Sequence, residues 1–386
     1  MRQFNERVVL QAIRFHGALP KADVARLTRL STQTASVIIN GLLEDGLVVK
    51  QPRLRGRIGQ PSVPIALNPD GAFTVGIKMG RRSLDVLAMD FVGRVRHRES
   101  LDYQVPDPKV IFPAIEERLK AIDKKLGACA FRVVGVGVAA PLWMGGWRDF
   151  LGAPAGVMGA WKEIDIRRRI EAMTGLPVEF AKDTTAACAA ELVMGRGRNL
   201  RDFLYLFIGT FIGGGLVIEG RLHLGPHGNA GAVGSWPSSG EAEQSPPRQL
   251  LHKASGLVLE QLFRKNGIPA TAAHDERAIA PRAWRVTSEW LDETGPALAH
   301  TIAAATSLID LEAVVIDGSM HRRVVDEVLL RTDHVLDRFS WEGITRPRLV
   351  VGTVGPDARA VGGAILPLYR HFAPSHELFF KPEATA

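Results

Sequence analysis

Residues 22–67 read ADVARLTRLSTQTASVIINGLLEDGLVVKQPRLRGRIGQPSVPIAL, and this stretch decides the fold of the first domain. Its opening part, residues 23–30, places Val24, Leu27 and Leu30 on one face of a short helix that faces a core. Ser31 stands at the position of an N-cap and predicts a second helix over residues 32–43, where apolar side chains recur at helical spacing. Two helices joined by so tight a turn are typical of a helix-turn-helix.

The polar residues of the predicted second helix indicate what its outer face contacts. They are short side chains with hydrogen-bonding groups, which suit base edges and phosphates in a DNA major groove. We therefore predict DNA contacts from Thr32, Gln33, Thr34, Ser36 and Asn40.

A basic ribbon follows the second helix. Two short apolar runs, at 48–49 and 63–67, predict paired strands, and the loop between them carries Arg53, Arg55 and Arg57 among Gly and Pro residues. This is the pattern of a wing, whose arginines suit phosphates or a narrow minor groove. The sequence therefore predicts a winged helix with double-stranded DNA as its partner.

The distribution of charge supports this interpretation. Residues 1–65 hold ten Lys and Arg against four Asp and Glu, so +6 of the chain's net charge of +7 lies there. A sequence-independent attraction for phosphate thus belongs to the N-terminal module. The alternative is that the basic hairpin is a solvated face, or that the winged helix binds protein.

Length and composition describe a folded chain with more than one core. At 386 residues two or three domains are expected, and 46% of the residues are hydrophobic. The longest apolar runs, 203–218 and 133–147, are Gly-rich and short for a membrane span. The N-terminal run has no signal-peptide core, so we expect a cytoplasmic location. Cys129 and Cys188 lie too far apart in sequence for a metal cluster, and we expect buried thiols.

From residue 73 onward, strands and helices alternate. Strands are predicted at 73–79, 84–90 and 92–98, then a helix over 108–126 and a strand at 132–138. Similar alternation continues to a closing small-residue helix at 358–369. The order predicts an α/β body of two similar halves with a cleft between them.

Several motifs of this body, in this order, resemble those of the ROK family, whose name joins repressor, open reading frame and kinase. The resemblance covers nearly the whole chain, winged helix included. The quoted segments are KDTTAA at 182–187, GTFIGGG at 209–215, GRLHLGPHGNAG at 220–231, VVIDG at 314–318 and DARAVG at 357–362. The phosphate loop of the family corresponds to Gly209, Thr210, Gly213, Gly214 and Gly215.

The resemblance implies an actin-like, sugar-kinase-like body of two lobes behind the winged helix. We expect a DNA-binding domain over residues 1–70 and an effector-binding, dimerising body over residues 71–386. Dimers or higher homo-oligomers are expected because two-fold operators require two recognition helices.

The same resemblance argues against sugar phosphorylation by this chain. Asp183 matches the family's general base, but Lys78 stands where the metal-organising carboxylate is expected. Phe211 replaces a glycine of the phosphate loop. Arg81 and Arg82 could bind phosphate, which is the best case for retained nucleotide binding. We predict a degenerate kinase with no catalytic residue and no cofactor, in which Asp183 is a vestigial base.

The family's zinc site is also missing from the sequence. Ser235 stands in place of a sugar-contacting histidine, Ala232 in place of a glutamate, and residues 237–247 contain no cysteine. Zinc prefers a closed set of thiolate and imidazole ligands, so we predict no bound metal. His223 and His227 lie nearby in sequence and are expected to face solvent.

The positions that match the family's sugar site predict where an effector binds. Lys182 replaces an asparagine that contacts sugar hydroxyls, and beside Asp183 it favours an anionic or highly hydroxylated ligand. The alternative is an internal salt bridge in a vestigial pocket. The predicted effector contacts are Pro141, Trp161, Lys182, Asp183, Asn229 and Ser235.

Three hypotheses about function follow from these features. The first is a transcriptional regulator that responds to a sugar or sugar derivative, with repression as the favoured mode of action. The second is an ATP-dependent sugar kinase with an accessory DNA-binding domain, against which Lys78 and Phe211 argue. The third is a ligand-blind DNA-binding protein whose body only dimerises.

Overall fold

The computed structural model describes residues 2–52, 63–146, 148–237 and 248–374. They fall into two compact units, Met1–Ala181 with Gly363–Phe380 and Lys182–Gly362. The predicted wing arginines Arg53, Arg55 and Arg57 lie outside the described residues.

The N-terminal part of the first unit contains the two predicted helices and one further helix before them. They are α1 (Arg2–His16), α2 (Lys21–Thr28) and α3 (Thr32–Glu44), followed by the antiparallel strands β1 (Val48–Lys50) and β2 (Ile65–Leu67). The Ser31 hydroxyl caps α3 by accepting a hydrogen bond from the Thr34 amide at 3.1 Å. Helix, turn, helix and paired strands therefore stand in the order of a winged helix.

One apolar residue of α2 departs from the predicted pattern. Val24 is completely buried, but Leu27 is 36% exposed. The helix ends at Thr28, and Arg29 adopts a left-handed conformation with φ of 54°. The chain therefore turns before another helical turn forms, and Leu30 packs against the core instead.

The winged helix shares one hydrophobic core with the α/β part of the first unit. Ile13 and Ile39 lie in the same buried cluster as Phe91 and Leu368, with Phe372 packed against it. The Phe91 and Phe372 rings meet edge to face with their centroids 4.7 Å apart. Because burial of this apolar surface holds the parts together, the winged helix moves with this unit.

The α/β part of the first unit contains a sheet with the strand order β5-β4-β3-β6-β7. Strands β3, β4 and β5 form an antiparallel meander, and β6 pairs in parallel with β3. The strands are β3 (Phe73–Met79), β4 (Ser83–Asp90), β5 (Val95–Asp102), β6 (Val133–Ala140) and β7 (Val178–Lys182). The helices are α4 (Pro108–Leu126), α5 (Arg148–Leu151), α6 (Ala155–Gly159) and α7 (Ile166–Thr174).

Strand β5 begins three residues later than predicted. The Asp90 carboxylate accepts hydrogen bonds from the amides of Val92 and Arg94, and Gly93 has a φ of 91°. These contacts close a turn over residues that the sequence pattern assigned to the strand.

The second unit repeats the same plan, with the strand order β10-β9-β8-β11-β12. Strands β8, β9 and β10 form an antiparallel meander, and β11 is parallel to both β8 and β12. The strands are β8 (Phe203–Ile208), β9 (Ile212–Ile218), β10 (Arg221–His223), β11 (Ala313–Gly318) and β12 (Arg348–Val351). The helices are α8 (Asp183–Met194), α9 (Leu251–Ala254), α10 (Gly256–Lys265), α11 (Pro281–Leu308) and α12 (Arg322–Leu336). The last helix, α13 (Ala358–Phe372), begins in this unit and belongs to the first unit from Gly363 onward. The predicted repetition of the body is confirmed.

Helix α13 depends on glycines for its packing. A Cβ atom at Gly362 would lie 1.8 Å from the Ala186 carbonyl oxygen, inside the second unit. In the first unit, a Cβ atom at Gly137 would lie 1.8 Å from the Gly363 carbonyl oxygen. No side chain fits at such distances. The packing of α13 therefore requires glycine at position 362 of the helix and at position 137 of β6. Among the described residues, no helix is long and apolar enough to cross a membrane.

Candidate functional site

The outer face of α3 presents the predicted polar residues. Thr32, Gln33, Thr34 and Asn40 are exposed, and Ser36 is half-buried. The Thr34 hydroxyl is hydrogen-bonded to that of Ser31 at 2.8 Å, so it belongs to the helix cap as well as to the face. The Asn40 side-chain oxygen accepts a hydrogen bond from the Lys21 ammonium at 2.8 Å, which fixes α3 against α2.

Sequence reasoning missed an apolar member of this face. Val37 is 62% exposed, one helical turn after Gln33. A methyl-bearing side chain at such a place suits contact with the C5-methyl group of thymine. The sequence prediction considered only the polar residues of this face, so it gave Val37 no role.

Lys78 lies inside the sheet of the first unit and is paired there. Its ammonium lies 3.0 Å from the Asp85 carboxylate, and both side chains are at least nine-tenths buried. Burial alone would raise the pKa of Asp85, but Lys78 and hydrogen bonds from Ser100 and Arg98 hold that pKa well below its ordinary value. A cation that already has a buried carboxylate partner is poorly suited to organise a metal nucleotide.

Arg81 holds a loop in the same unit. Its guanidinium donates hydrogen bonds to the carbonyl oxygens of Met144 and Gly146 at 3.2 and 3.1 Å, and to that of Trp143 at 3.4 Å. These contacts fix the loop that follows β6 and Pro141. The structure therefore gives Arg81 a positioning role, and it leaves Trp143 81% exposed.

The glycines of the predicted phosphate loop are packing residues of β9. Gly213 and Gly215 lie against α8, where added Cβ atoms would come within 2.8 Å of the Thr184 side chain and 2.5 Å of the Cys188 Cβ atom. A Cβ atom at Gly214 would lie 2.3 Å from the Tyr205 carbonyl oxygen. Close packing of β9 against α8 explains Gly213 and Gly215, and the neighbouring strand backbone explains Gly214, without a phosphate.

Two amide groups of the β8–β9 turn donate hydrogen bonds within the protein. The Gly209 amide donates to the Phe211 carbonyl at 3.2 Å, and the Ile212 amide donates to the Ser255 hydroxyl at 3.0 Å. The carbonyl groups of Gly209 and Thr210 accept hydrogen bonds from the first amides of α10. Two donors of this turn, the Gly209 and Ile212 amides, are thus already used within the protein.

Asp183 and Lys182 come together with Arg359 in the second unit. Asp183 is the first residue of α8, and one of its carboxylate oxygens accepts a hydrogen bond from the Thr184 amide at 2.9 Å. The other oxygen lies 3.6 Å from a terminal nitrogen of Arg359. The Lys182 ammonium donates to the Ala230 carbonyl at 3.3 Å. Burial lowers the pKa of Lys182, and Asp183 opposes that shift.

Sequence reasoning gave Arg359 no role. It lies in the quoted motif at 357–362, and only the fold brings the start of α13 next to the start of α8. Its guanidinium lies over the Phe207 ring, 4.8 Å from the centroid.

The remaining predicted effector contacts are more scattered. Trp161 is 6% exposed in the core of the first unit, and its indole nitrogen donates to the Pro106 carbonyl at 2.7 Å. Pro141 is half-buried in the first unit, whereas Asn229 and Ser235 are exposed in the second. Packing explains Trp161, so it is the weakest of these candidates for ligand contact.

A pair of buried carboxylates, also missed from the sequence, orders the turn after β12. Glu191 accepts hydrogen bonds from the amides of Arg196, Thr353 and Val354. Asp317 accepts from the amide of Gly355 at 3.0 Å, and burial raises its pKa. These carboxylates are engaged by the backbone and stabilise the fold.

No group of three His, Cys, Asp or Glu side chains that could hold a metal ion occurs among the described residues. Cys188 is buried, and burial raises the pKa of its thiol; Cys129 is only half-buried, which corrects the expectation that both are buried.

Fold and site together define a class of protein: a winged helix-turn-helix joined to an α/β body that contains the same sheet plan twice. The profile of the ROK family matches residues 74–368, roughly three-quarters of the chain. The chain belongs to the ROK family.

Relatives of similar sequence include named regulators. A transcriptional regulator of Mycobacterium tuberculosis (strain H37Rv) is 26% identical over 381 residues, which cover 93% of this chain and 84% of that protein. A xylose repressor of Caldicellulosiruptor bescii is 23% identical over 244 residues, which cover 61% of this chain and 58% of that protein.

Solved structures support the assignment of the fold. A ROK family transcriptional regulator, described as a homologue of the E. coli MLC protein, has a TM-score of 0.70 and 19% identity, with 96% of this chain and 97% of that chain covered. A ROK family glucokinase from Streptomyces griseus, in complex with glucose and AMPPNP, has a TM-score of 0.59 and 22% identity, with 76% and 99% covered. At these identities the likeness shows the fold alone.

Proposed function

We propose that this protein is a sequence-specific DNA-binding transcriptional regulator, a repressor of carbohydrate-related genes, that responds to a sugar or sugar-derived effector. The observation that carries the proposal is the exposed polar face of α3 behind the Ser31 cap, in a winged helix that precedes a kinase-like body. The regulator and xylose repressor among the relatives support it.

In this proposal residues 1–70 bind DNA, and residues 71–386 bind the effector and form a homodimer. The protein acts in the cytoplasm, where the DNA is. Since the winged helix shares a core with the α/β part of the first unit, a change in the packing of that core is the step by which the effector would alter the DNA-binding face. The effector shifts the DNA-competent population only by the ratio of its affinities for the two states.

The alternative function is that of an ATP-dependent sugar kinase, and it is supported by the likeness of the fold to that of the glucokinase. The pairing of Lys78 with Asp85 and the engaged amides of Gly209 and Ile212 argue against it. The Asp183 carboxylate also lies 3.6 Å from the Arg359 guanidinium. A coupled ADP-release assay over a panel of sugars decides between the two, and turnover above background would favour the kinase.

The test of DNA recognition compares the helix with the wing. We expect Gln33→Ala to cost about 1–3 kcal/mol on the cognate site and little on random DNA. Replacement of Arg55 and Arg57 by Ala should weaken binding on all DNA and lower the salt slope by roughly one to two units. Fluorescence anisotropy on both duplexes measures these effects.

The matched control is Arg285→Ala, an exposed arginine of α11 in the second unit. It should leave both affinities unchanged. Equal losses on cognate and random DNA for Gln33→Ala would refute the assignment of α3 as the recognition helix.

The test of effector binding uses Asp183→Asn. A carboxylate accepts two hydroxyl hydrogen bonds that an amide satisfies less well. This variant should therefore bind DNA normally and lose release by the effector. A normal response would place the ligand elsewhere, or make the body a dimerisation scaffold.

A further inference from the structure

The neighbourhood of Asp183 contains more positive than negative charge. Among the described residues, the carboxylate in contact with Arg359 and acting on Lys182 is that of Asp183. The Arg359 side chain is 13% exposed and that of Asp183 is 17% exposed, so water screens them weakly. Burial of a net charge costs free energy unless an opposite charge compensates it.

The Arg359 guanidinium is held in place by contacts that leave N–H groups without hydrogen-bond acceptors among the described residues. The Phe207 ring supports one face of the guanidinium at 4.8 Å from its centroid. The Nε atom is buried and has no hydrogen-bond partner among the described residues. Its contact with Asp183, at 3.6 Å, is longer than a hydrogen bond. The guanidinium is thus oriented in advance, with N–H groups left for a planar or tetrahedral anion.

Lys182 adds a second cation whose only hydrogen bond among the described residues is to the Ala230 carbonyl. A carbonyl dipole compensates an ammonium incompletely in a buried place. An internal ion pair of Arg359 with Asp183 would neutralise one cation and leave Lys182 without a carboxylate.

We infer that the effector carries an acidic group, as a sugar acid or a phosphorylated sugar does, and that Arg359 and Lys182 bind that group while Asp183 accepts the sugar hydroxyls. The inference rests on the proposed function and names the chemical class of its effector. Charge-assisted bonds from a guanidinium are strong and geometrically selective, so the acid group dominates recognition.

Calorimetric titration with matched compounds tests the inference. The probes are glucose, mannose, galactose and xylose, each with its aldonic acid and its terminal phosphate. We expect one or more acidic members to bind, their neutral parents to bind at least tenfold more weakly, and affinity to fall as salt increases. Tighter binding of the aldonic acid or of the sugar phosphate shows which of the two acidic groups the effector carries.

Arg359→Gln should weaken the acidic ligand by about tenfold to a hundredfold, the loss of a charge-assisted hydrogen bond, and leave the neutral parent unchanged. The matched control is Arg322→Gln, another arginine of the second unit, whose guanidinium lies 3.9 Å from Asp317. It should change neither affinity. Slow reaction of the buried Cys188 thiol with a thiol reagent checks that α8 remains folded in each variant.

Three results would overturn the inference. Neutral sugars could bind as tightly as their acids, inorganic phosphate could bind as tightly as the sugar phosphates, or Arg359→Gln could bind the acids normally. In each of these cases the proposed function still holds if the protein binds DNA and another ligand releases it from the DNA. If no compound binds and none releases DNA, both the inference and the effector part of the proposed function are wrong.

Discussion

The buried pair of Lys78 and Asp85 gives a prediction about stability that also bears on the kinase question. Lys78→Met removes the ammonium and leaves the Asp85 carboxylate buried with Arg98 and Ser100 as partners. Loss of one member of a buried pair costs about 3–5 kcal/mol, and the remaining Arg98 contact reduces this to about 2–4 kcal/mol. For a unit of this size the loss lowers Tm by roughly 4–16 °C.

The double variant Lys78→Met with Asp85→Leu removes both charges together. Its free energy of unfolding should lie within about 1.5 kcal/mol of that of the wild type, because apolar residues can replace a buried ion pair at little cost. The surface control is Lys120→Met, which removes the exposed contact with Glu116 and should cost less than about 1 kcal/mol.

The effect of Lys78→Met depends on pH with a definite sign. The pKa of Asp85 is lowered in the folded protein, so its stabilisation is present above the unfolded value near about 4 and is lost as pH falls through the folded value. The difference in Tm between wild type and variant should therefore be largest near neutral pH and shrink below about pH 4. Scanning calorimetry over this range measures it. A variant with unchanged Tm that instead loses nucleotide binding would show Lys78 to be a phosphate ligand.

Three further predictions concern the helix cap, the glycines and metal. Ser31→Ala should destabilise the winged helix by about 1 kcal/mol, whereas Ser31→Gly should cost only a few tenths, as thermal unfolding followed by circular dichroism reports. Gly214→Ala should destabilise the second unit by about 1–3 kcal/mol or more, because its Cβ atom would meet a backbone oxygen, whereas Gly209→Ala should be tolerated because the nearest atom lies 3.4 Å away. Metal analysis of purified, untagged protein should give well below one equivalent of zinc, and chelators should leave Tm unchanged; stoichiometric zinc would show that the segment from Ser235 to residue 247 was misinterpreted.

Local patterns in the sequence predicted much of the fold. The Ser31 cap and the spacing of apolar residues predicted both ends of α3 to within one residue. Strands such as Phe73–Met79 have the predicted bounds. Caps, turns and periodicity act between close neighbours in the chain, so they can be read without a structure.

Contacts between distant residues could not be predicted in this way. The packing of Phe91 and Phe372 beside the winged helix joins segments from opposite ends of the chain. Arg359 meets Asp183 across 176 residues, and its role as a candidate ligand contact depends entirely on that contact. Val37 had no role in the sequence prediction, and the fold shows its side chain exposed on the outer face of α3.

The measurement that tests the central claim most directly is the ratio of affinities for two DNA duplexes. One carries a site recovered by genome-wide binding of this protein, and the other is its scrambled counterpart of equal length and composition. At physiological salt we predict a ratio of roughly 10³ or more for the wild type, which Gln33→Ala reduces. A ratio near one for the wild type would contradict the proposal that this ROK protein is a sequence-specific regulator.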